Sequence, residues 1–303
     1  MTSAAIEELM SKAVLRVVFD TNTFTPDKFD LLANSPLIQL CKSGRIVPVY
    51  GHVFMEEMWR SYGHEKRRPH LIERWIPFIV ETVDRFCEDF VTIWHRELVE
   101  GHGQKTNIYL NPDNQKSLLA GLSKIPADGS WRGWRDTEKV RAEEDAKRAA
   151  QREVSKEIRQ EVADKLKEIG YSRKHHGGPV PFEEFLQREL DSSGRMFIKA
   201  LVPCSNPKEV ADRWSRDKSA YPYFTMFVTN MTYIGYYSAT RSNDKIDLNA
   251  QADMDLMTHL LNADVLVSNE TGFLRSAFDD LWRPRGKVMF TSEEFAEFTK
   301  KLA

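Results

Sequence analysis

Four places in the sequence set carboxylates beside short apolar runs, an arrangement suited to metal-assisted phosphate chemistry. Asp20 closes Val17-Val18-Phe19-Asp20-Thr21-Asn22, and Glu56 and Glu57 lie in Val53-Phe54-Met55-Glu56-Glu57-Met58. Asp253 and Asp255 precede the run Asp264-Val265-Leu266-Val267-Ser268, and Asn269 and Glu270 follow it directly. Carboxylates held within a few ångströms repel by roughly 4 kcal/mol per pair at 4 Å in a surface-like dielectric. Such a group holds protons or a cation. Mg²⁺ or Mn²⁺ matches a site of Asp and Glu with no Cys or His close by, because both ions prefer oxygen ligands and bridge readily to phosphate. Phosphodiester hydrolysis is the natural use, with the ion activating water and stabilising charge on phosphate and leaving oxygen. Taken singly, each acid has an ordinary reading, as a helix cap or a solvated helix residue. With 45 Asp and Glu in the chain, it is the order and placement of all four that point to a site.

These acids must be positioned by strands and helices. Val14 to Phe19 and Ile46 to Tyr50 read as buried strands, separated by a helical stretch from Pro36 to Ser43 and a turn at Gly44. Near the other end, Asp264 to Ser268 and Lys287 to Phe290 repeat the pattern, with helices expected at Asn249 to Asn262, Thr271 to Leu281 and Ser292 to Leu302. Strands alternating with helices favour a parallel sheet, whose ligands gather outside the carboxyl ends of the strands. Between about Arg68 and Ser242 the chain reads as helix after helix, interrupted at Gly101-His102-Gly103, Ala127-Asp128-Gly129-Ser130 and Gly177-Gly178-Pro179. Within it, Thr137 to Ile169 is a highly charged helix with a thin apolar stripe, expected to pack by one edge and show the rest to water. The α/β part is thus assembled from both termini around a helical insertion: residues 1–67 and 220–303 form the α/β halves and 68–219 the insertion.

Bulk properties narrow the function classes. Apolar and charged fractions of 41% and 29% are those of an ordinary globular protein, and no window reaches the apolar length of a membrane span. Glu7 and Glu8 precede any apolar run, which argues against a secretory signal and for a cytoplasmic address. The net charge of −2 excludes a polycation that coats nucleic acid indiscriminately, so contacts to phosphate must come from local patches. Cys41, Cys87 and Cys204 lie far apart without metal-ligand spacing and read as buried thiols.

The carboxylate pattern resembles the PIN-domain nuclease family. The carrying residues are Val17 to Asn22, Pro48 with Val53 to Met58, Asp253, Ala263 to Glu270, and Phe273. The resemblance covers roughly residues 12–60 and 220–303. It implies an α/β, PIN-like three-layer fold with a small central parallel sheet, here carrying a large all-helical insertion. It further implies acids converging on one or two Mg²⁺ or Mn²⁺ ions, with RNA as the usual substrate. By resemblance Asp20 is the first metal ligand, with Asn22 as its polar support. Glu57 is the second acid, with Glu56 as a substitute, and Asp253 the third, with Asp255 as an alternative. Glu270 is the fourth acid, beside Asn269. The chain departs from the family where Ser268-Asn269-Glu270 stands for the usual Thr-Asn-Asp, and in the length between Met58 and Asp253.

The function expected is a metal-dependent endonuclease, foremost an endoribonuclease, in which Asp20, Glu57, Asp253 and Glu270 act together, Asp20, Asp253 and Glu270 hold metal, and water attacks phosphorus in line. Asn22, Asn269, Arg60, Arg67 and Arg68 are the candidates for substrate contact. The three arginines belong to a basic stretch with Lys66 and Arg74 just after the second acid. Arg283, Arg285 and Lys287 form a second basic group and Arg173-Lys174-His175-His176 a third. Tyr221 to Thr240 is rich in aromatic residues, and core packing is favoured there over base stacking. Arg96 and His102 match the short Arg-to-His spacing of metal-independent HEPN ribonucleases, which chance explains more readily. The rival functions are an RNA- or protein-binding domain without cleavage, using the inserted helices, and a DNA nuclease of defence or repair. A homodimer or a protein partner through the insertion is left open.

Overall fold

Four short strands, β1 (Leu15–Phe19), β2 (Ile46–Val49), β3 (Val265–Val267) and β4 (Val288–Phe290), form one parallel sheet in the order β2-β1-β3-β4. The computed structural model describes residues 3–62, 66–100, 107–128, 159–170, 181–202, 204–241 and 249–303, together with 146, 150, 153, 156 and 157. Strands buried on both faces need continuous apolar runs. Val17, Val18, Phe19 and every residue of β3 and β4 are buried accordingly. Because β1 is interior and its register sets Phe19 beside Val267, the next residues of the two strands, Asp20 and Ser268, emerge side by side at the carboxyl edge.

Contact within the chain divides it into two compact units. The first comprises residues 1–89, 108–140 and 259–303, and the second residues 90–107 and 141–258. The sequence expectation drew its boundaries at 67/68 and 219/220 instead. The difference has a physical source: Ile76, Ile79, Leu122 and Ile125, from the helices Ile76–Thr82 and Pro112–Asp128, join the same apolar cluster as Val17, Phe19 and Val265. Helical periodicity reveals a buried face but not the surface it covers.

Within the first unit, Phe19 meets Phe24 and Phe295 edge-on at 6.1 and 5.7 Å. Phe295 is presented by the helix Ser292–Leu302, whose entry is fixed by a capping box: Thr291 accepts from the Glu294 N–H and the Glu294 side chain accepts from the Thr291 N–H. β2 is the outer strand beside β1. Leu15 N donates to Arg45 O (2.9 Å), so the N–H groups of Val47 and Val49 turn to β1 and the Pro48 nitrogen turns outward. At the end of β2 the ladder continues in a single bridge, Cys87 N donating to Tyr50 O at 2.9 Å. Gly51 comes next. A Cβ there would lie 1.9 Å from Nε2 of His259, a buried imidazole whose pKa burial pushes down to about 3.

The second unit is helical. The helices Phe90–Glu100, Phe182–Leu201, Pro207–Arg216 and Pro222–Thr240 pack through aromatic rings, with Trp94 stacked on Phe227 at 5.3 Å and Phe182 edge-on to Tyr233 at 4.9 Å. Tyr223, Phe224, Tyr233 and Tyr236 are buried, in accord with core packing of the aromatic helix. Residues 159–168 are helical with Val162 and Leu166 buried, and Lys165 bridges Glu161 and Glu189 at 3.2 and 2.8 Å. Most of the rest of the charged Thr137–Ile169 segment lies outside the described residues, as do His102, the Arg173–His176 group and the three glycine-containing interruptions apart from Ala127 and Asp128. No helix of the described residues is long and apolar enough to cross a membrane.

Gly194 lets two helices of this unit touch. A Cβ at Gly194 would fall 2.0 Å from the Trp214 ring, and Trp214 is fully buried. Gly194→Ala gains up to about 1 kcal/mol of helix propensity. Forcing that ring aside costs more, about 3 kcal/mol in a packed core. A net loss in the urea midpoint is therefore expected, and a midpoint at or above wild type would show that the ring moves without resistance.

Candidate functional site

Asp20 is the extended residue that joins β1 to the 3-10 turn Thr21–Phe24, and it is only 9% exposed. Its Oδ2 accepts from Asn22 Nδ2 and from Ser268 Oγ, both at 2.6 Å, and its Oδ1 accepts from the Asn22 backbone at 3.3 Å. Ser268 Oγ also accepts from Asn22 Nδ2 and from the Glu270 N–H, each at 3.1 Å. One hydroxyl thus donates once and accepts twice, which exhausts its bonding capacity.

Asn22 is held just as firmly. Its Oδ1 accepts from Asn269 N at 3.0 Å while its amide nitrogen donates to Asp20 Oδ2 and Ser268 Oγ, so exchanging oxygen and nitrogen would set two donors against each other. Asn269 in turn is clamped by Ser292: Asn269 Nδ2 donates to Ser292 Oγ (2.9 Å) and Ser292 N donates to Asn269 Oδ1 (3.0 Å). A polar chain therefore runs from the start of the last helix through Asn269 and Asn22 to Asp20, across the ends of β1, β3 and β4.

Two further acids approach Asp20 from other elements of the first unit. Glu57, on the helix His52–Tyr62, accepts a short hydrogen bond from Thr21 Oγ1. Glu270 follows β3, and its Oε1 accepts from Gly272 N at 3.0 Å. Burial pushes the Asp20 carboxyl up from 3.8 to about 6, with the charges of Glu57 and Glu270 adding to the rise and the bonds from Ser268 and the Asn22 backbone opposing it. The desolvation cost outweighs the donors.

Glu56 and Glu57, adjacent in sequence, have different surroundings. Glu56 faces its own helix, 3.4 Å from His52 Nε2 and 3.8 Å from Arg60. The Glu56 carboxylate is the main cause of a raised His52 pKa. Glu57 is the one joined to the turn that carries Asp20. Asp253 is half-buried in the first turn of the helix Ala250–Thr258, in the second unit, with Asp255 half-buried beyond it. The structure brings together Asp20, Glu57, Glu270, Asn22 and Asn269 in the first unit. Among the described residues no group of three or more His, Cys, Asp and Glu side chains is placed to hold a metal ion.

The basic stretch is divided among other contacts. Arg60 is exposed and pairs with Glu56, and Arg67 is exposed before the short turn Arg68–His70. Arg68 Nε donates to Tyr62 O at 2.7 Å, with the guanidinium 5.0 Å from the Tyr62 ring centroid. Arg74 pairs with Asp30. Sequence reasoning did not assign Ser268, Thr21 or Ser292 to the site. Ser268 and Thr21 adjoin residues already singled out, so their hydroxyls could have been found. Ser292 lies 23 residues after Asn269, and only the sheet register brings it in.

No protein-family model matches the chain, and neither a curated protein nor a solved structure matches it.

Proposed function

We propose that this chain is a divalent-metal-dependent endonuclease acting on RNA, built on a PIN-like version of its parallel α/β fold. The observation that carries the reading is the buried Asp20 at the carboxyl edge of the sheet, with a pKa lifted to about 6 by burial and by Glu57 and Glu270. A divalent cation relieves that conflict, and the donors are all hard oxygens, which suits Mg²⁺ or Mn²⁺. Asp20 would face the ion, with Glu57 and Glu270 as the neighbouring acids whose charges reach it. When bound, the ion supplies a more acidic water and neutralises charge on the phosphate. Ser268 and Asn22 fix the Asp20 carboxylate, and Thr21 fixes Glu57. Asn269, clamped by Ser292, presents its backbone at the site in one orientation. Arg60, Arg67 and Arg68 would meet backbone phosphates, as charge and not as base readers.

A second reading follows from the lack of a three-ligand group among the described residues: a domain that binds RNA without cutting it. Incubating labelled single-stranded RNA and DNA with the protein, with Mn²⁺ or EDTA, decides between them. RNA cleavage that needs Mn²⁺ and is reduced at least a hundredfold by Glu57→Gln is expected. Full cleavage by an Asp20→Asn, Asp253→Asn double variant would overturn the hydrolase reading, retention of RNA without cleavage favours the second, and preferential cleavage of DNA replaces RNA as substrate.

A further inference from the structure

The turn Thr21–Phe24 carries two of the bonds that shape the acidic site: Thr21 Oγ1 reaches Glu57, and Asn22 Nδ2 reaches Asp20. Its first end is tied to the strand before it, because the Asp20 carbonyl accepts from Thr23 N at 3.0 Å and from Thr23 Oγ1 at 2.6 Å. Its last end cannot run on as a helix, since Thr25 is extended (φ −60°, ψ 149°) and Pro26 has no N–H to offer. The Phe24 carbonyl at that end takes its donors from another element.

Those donors are two side chains. Trp75 Nε1 donates to Phe24 O at 2.6 Å, and His70 Nε2 lies 2.8 Å from the same oxygen. A carbonyl can only accept, so His70 carries its proton on Nε2 in this bond. Residues five apart, as His70 and Trp75 are, stand about 140° from one another around an α-helix and face different ways. Here the chain winds instead through one π-helical turn, Leu71–Trp75, with the Ile76 N–H bonded to Leu71 O five residues back. That wider turn brings positions five apart toward one face. Its cause is in the sequence: Pro77 lacks the N–H that an α-helix would send to Glu73 O, and its ring would press on that carbonyl. Single π turns of this kind often mark functional sites. Trp75 is buried with its ring 5.0 Å from that of Phe24, and Phe24 also meets Phe54 edge-on at 5.2 Å, three residues before Glu57 on the same helix.

We propose that His70 and Trp75 are positioning residues of the acidic site: their two N–H groups fix the end of the turn through which Asn22 holds Asp20 and Thr21 holds Glu57. Both act through the Phe24 carbonyl. The proposal rests on the nuclease reading only for the ion that the acids would face.

Two readouts on the full chain test it, the first without metal. In EDTA at pH 8, exchange of the Asn22 side-chain amide protons with water is followed by heteronuclear NMR, the signal being assigned by its loss in Asn22→Ser. His70→Phe keeps a ring against Phe29 and Trp75 while removing one donor. Exchange should then quicken about fivefold, as for one lost hydrogen bond. His70→Gln restores an N–H at similar reach and should exchange as wild type does, and Trp75→Phe should act in the same direction as His70→Phe. The second readout is Mn²⁺ affinity, taken from the electron-spin resonance of free Mn²⁺. It should fall about fivefold in His70→Phe and recover in His70→Gln. Gly194→Ala, in the other unit, is expected to lower the urea midpoint and should leave both readouts at wild type. Unchanged amide exchange in His70→Phe, a change that Gln does not reverse, or an equal change in Gly194→Ala would overturn the proposal. If wild type binds no Mn²⁺, the nuclease reading fails, and amide exchange alone decides whether His70 and Trp75 hold the turn.

Discussion

Replacing Asp20 by Asn is expected to stabilise the metal-free protein and, in the same molecule, to remove the RNA cleavage proposed for it. The folded carboxyl titrates near 6 and the unfolded one near 3.8. A group whose folded pKa is raised contributes stability that is fully present below the unfolded value and is lost as pH rises through the folded one. At pH 8 wild type therefore bears a cost of about 3 kcal/mol, from 1.36 kcal/mol per unit. Asn carries no charge to desolvate. Its Oδ1 can still accept from Ser268 and Asn22, and only the weaker 3.3 Å bond from the Asn22 backbone is lost. Thermal melts in EDTA should show the variant and wild type alike below pH 4, diverging between pH 4 and 6, with the variant the more stable above. Mn²⁺ should raise the wild-type melting temperature and leave that of Asp20→Asn unchanged, since a ligand stabilises only the state that binds it. A variant less stable than wild type at pH 8 would mean that the carboxylate is well solvated or well paired, which contradicts the burial described.

The other large effect is expected at Glu97, in the second unit and outside the proposed chemistry. The helix Pro222–Thr240 begins with a proline that has no N–H, and the Tyr221 before it offers no side-chain cap. Glu97 supplies the missing acceptors from another helix: its carboxylate takes the Tyr223 N–H at 3.2 Å and the Phe224 N–H at 2.8 Å. Burial pushes its pKa up from 4.5 to about 7, against the pull of these two bonds. Glu97→Ala leaves two buried donors without an acceptor and opens a cavity, and a loss of about 3 kcal/mol or more is expected. Glu97→Gln keeps one acceptor oxygen and removes the titration. It should cost less, and it should flatten the decline in wild-type stability between pH 4.5 and 7 that a raised carboxyl pKa produces. Urea midpoints of the three proteins at pH 5 and pH 8 read both effects. If Glu97→Ala unfolds at the wild-type midpoint, the carboxylate is not the cap of that helix.

The strands were readable because burial on both faces demands unbroken apolar runs. Each expected strand agrees with the structure to within a residue at either end, and the last helix was placed as Ser292–Leu302. Asp20, Asn22, Asn269 and Glu270 were readable for a related reason: they directly follow those strands, and a parallel sheet aligns its carboxyl ends. Only the family resemblance favoured Glu57 over Glu56, since adjacent helical residues differ only in the direction they face. The partition of the helices was not readable either, because Ile76 and Leu122 show the same periodicity whichever core receives them. Glu97 stood inside the Arg96-to-His102 motif as a bystander, and its bond to residues more than a hundred positions later has no local signature.

Pro48 has a consequence for how the molecule behaves at high concentration. It sits in the middle of the outermost strand with its nitrogen turned away from the sheet, and the next outward position, Tyr50, is already bridged by Cys87. A second chain approaching this margin meets a missing donor and then an occupied acceptor. The hydrogen-bonded lattice ends there by covalent structure, so growth of fibrils or strand-exchanged dimers has no template along β2.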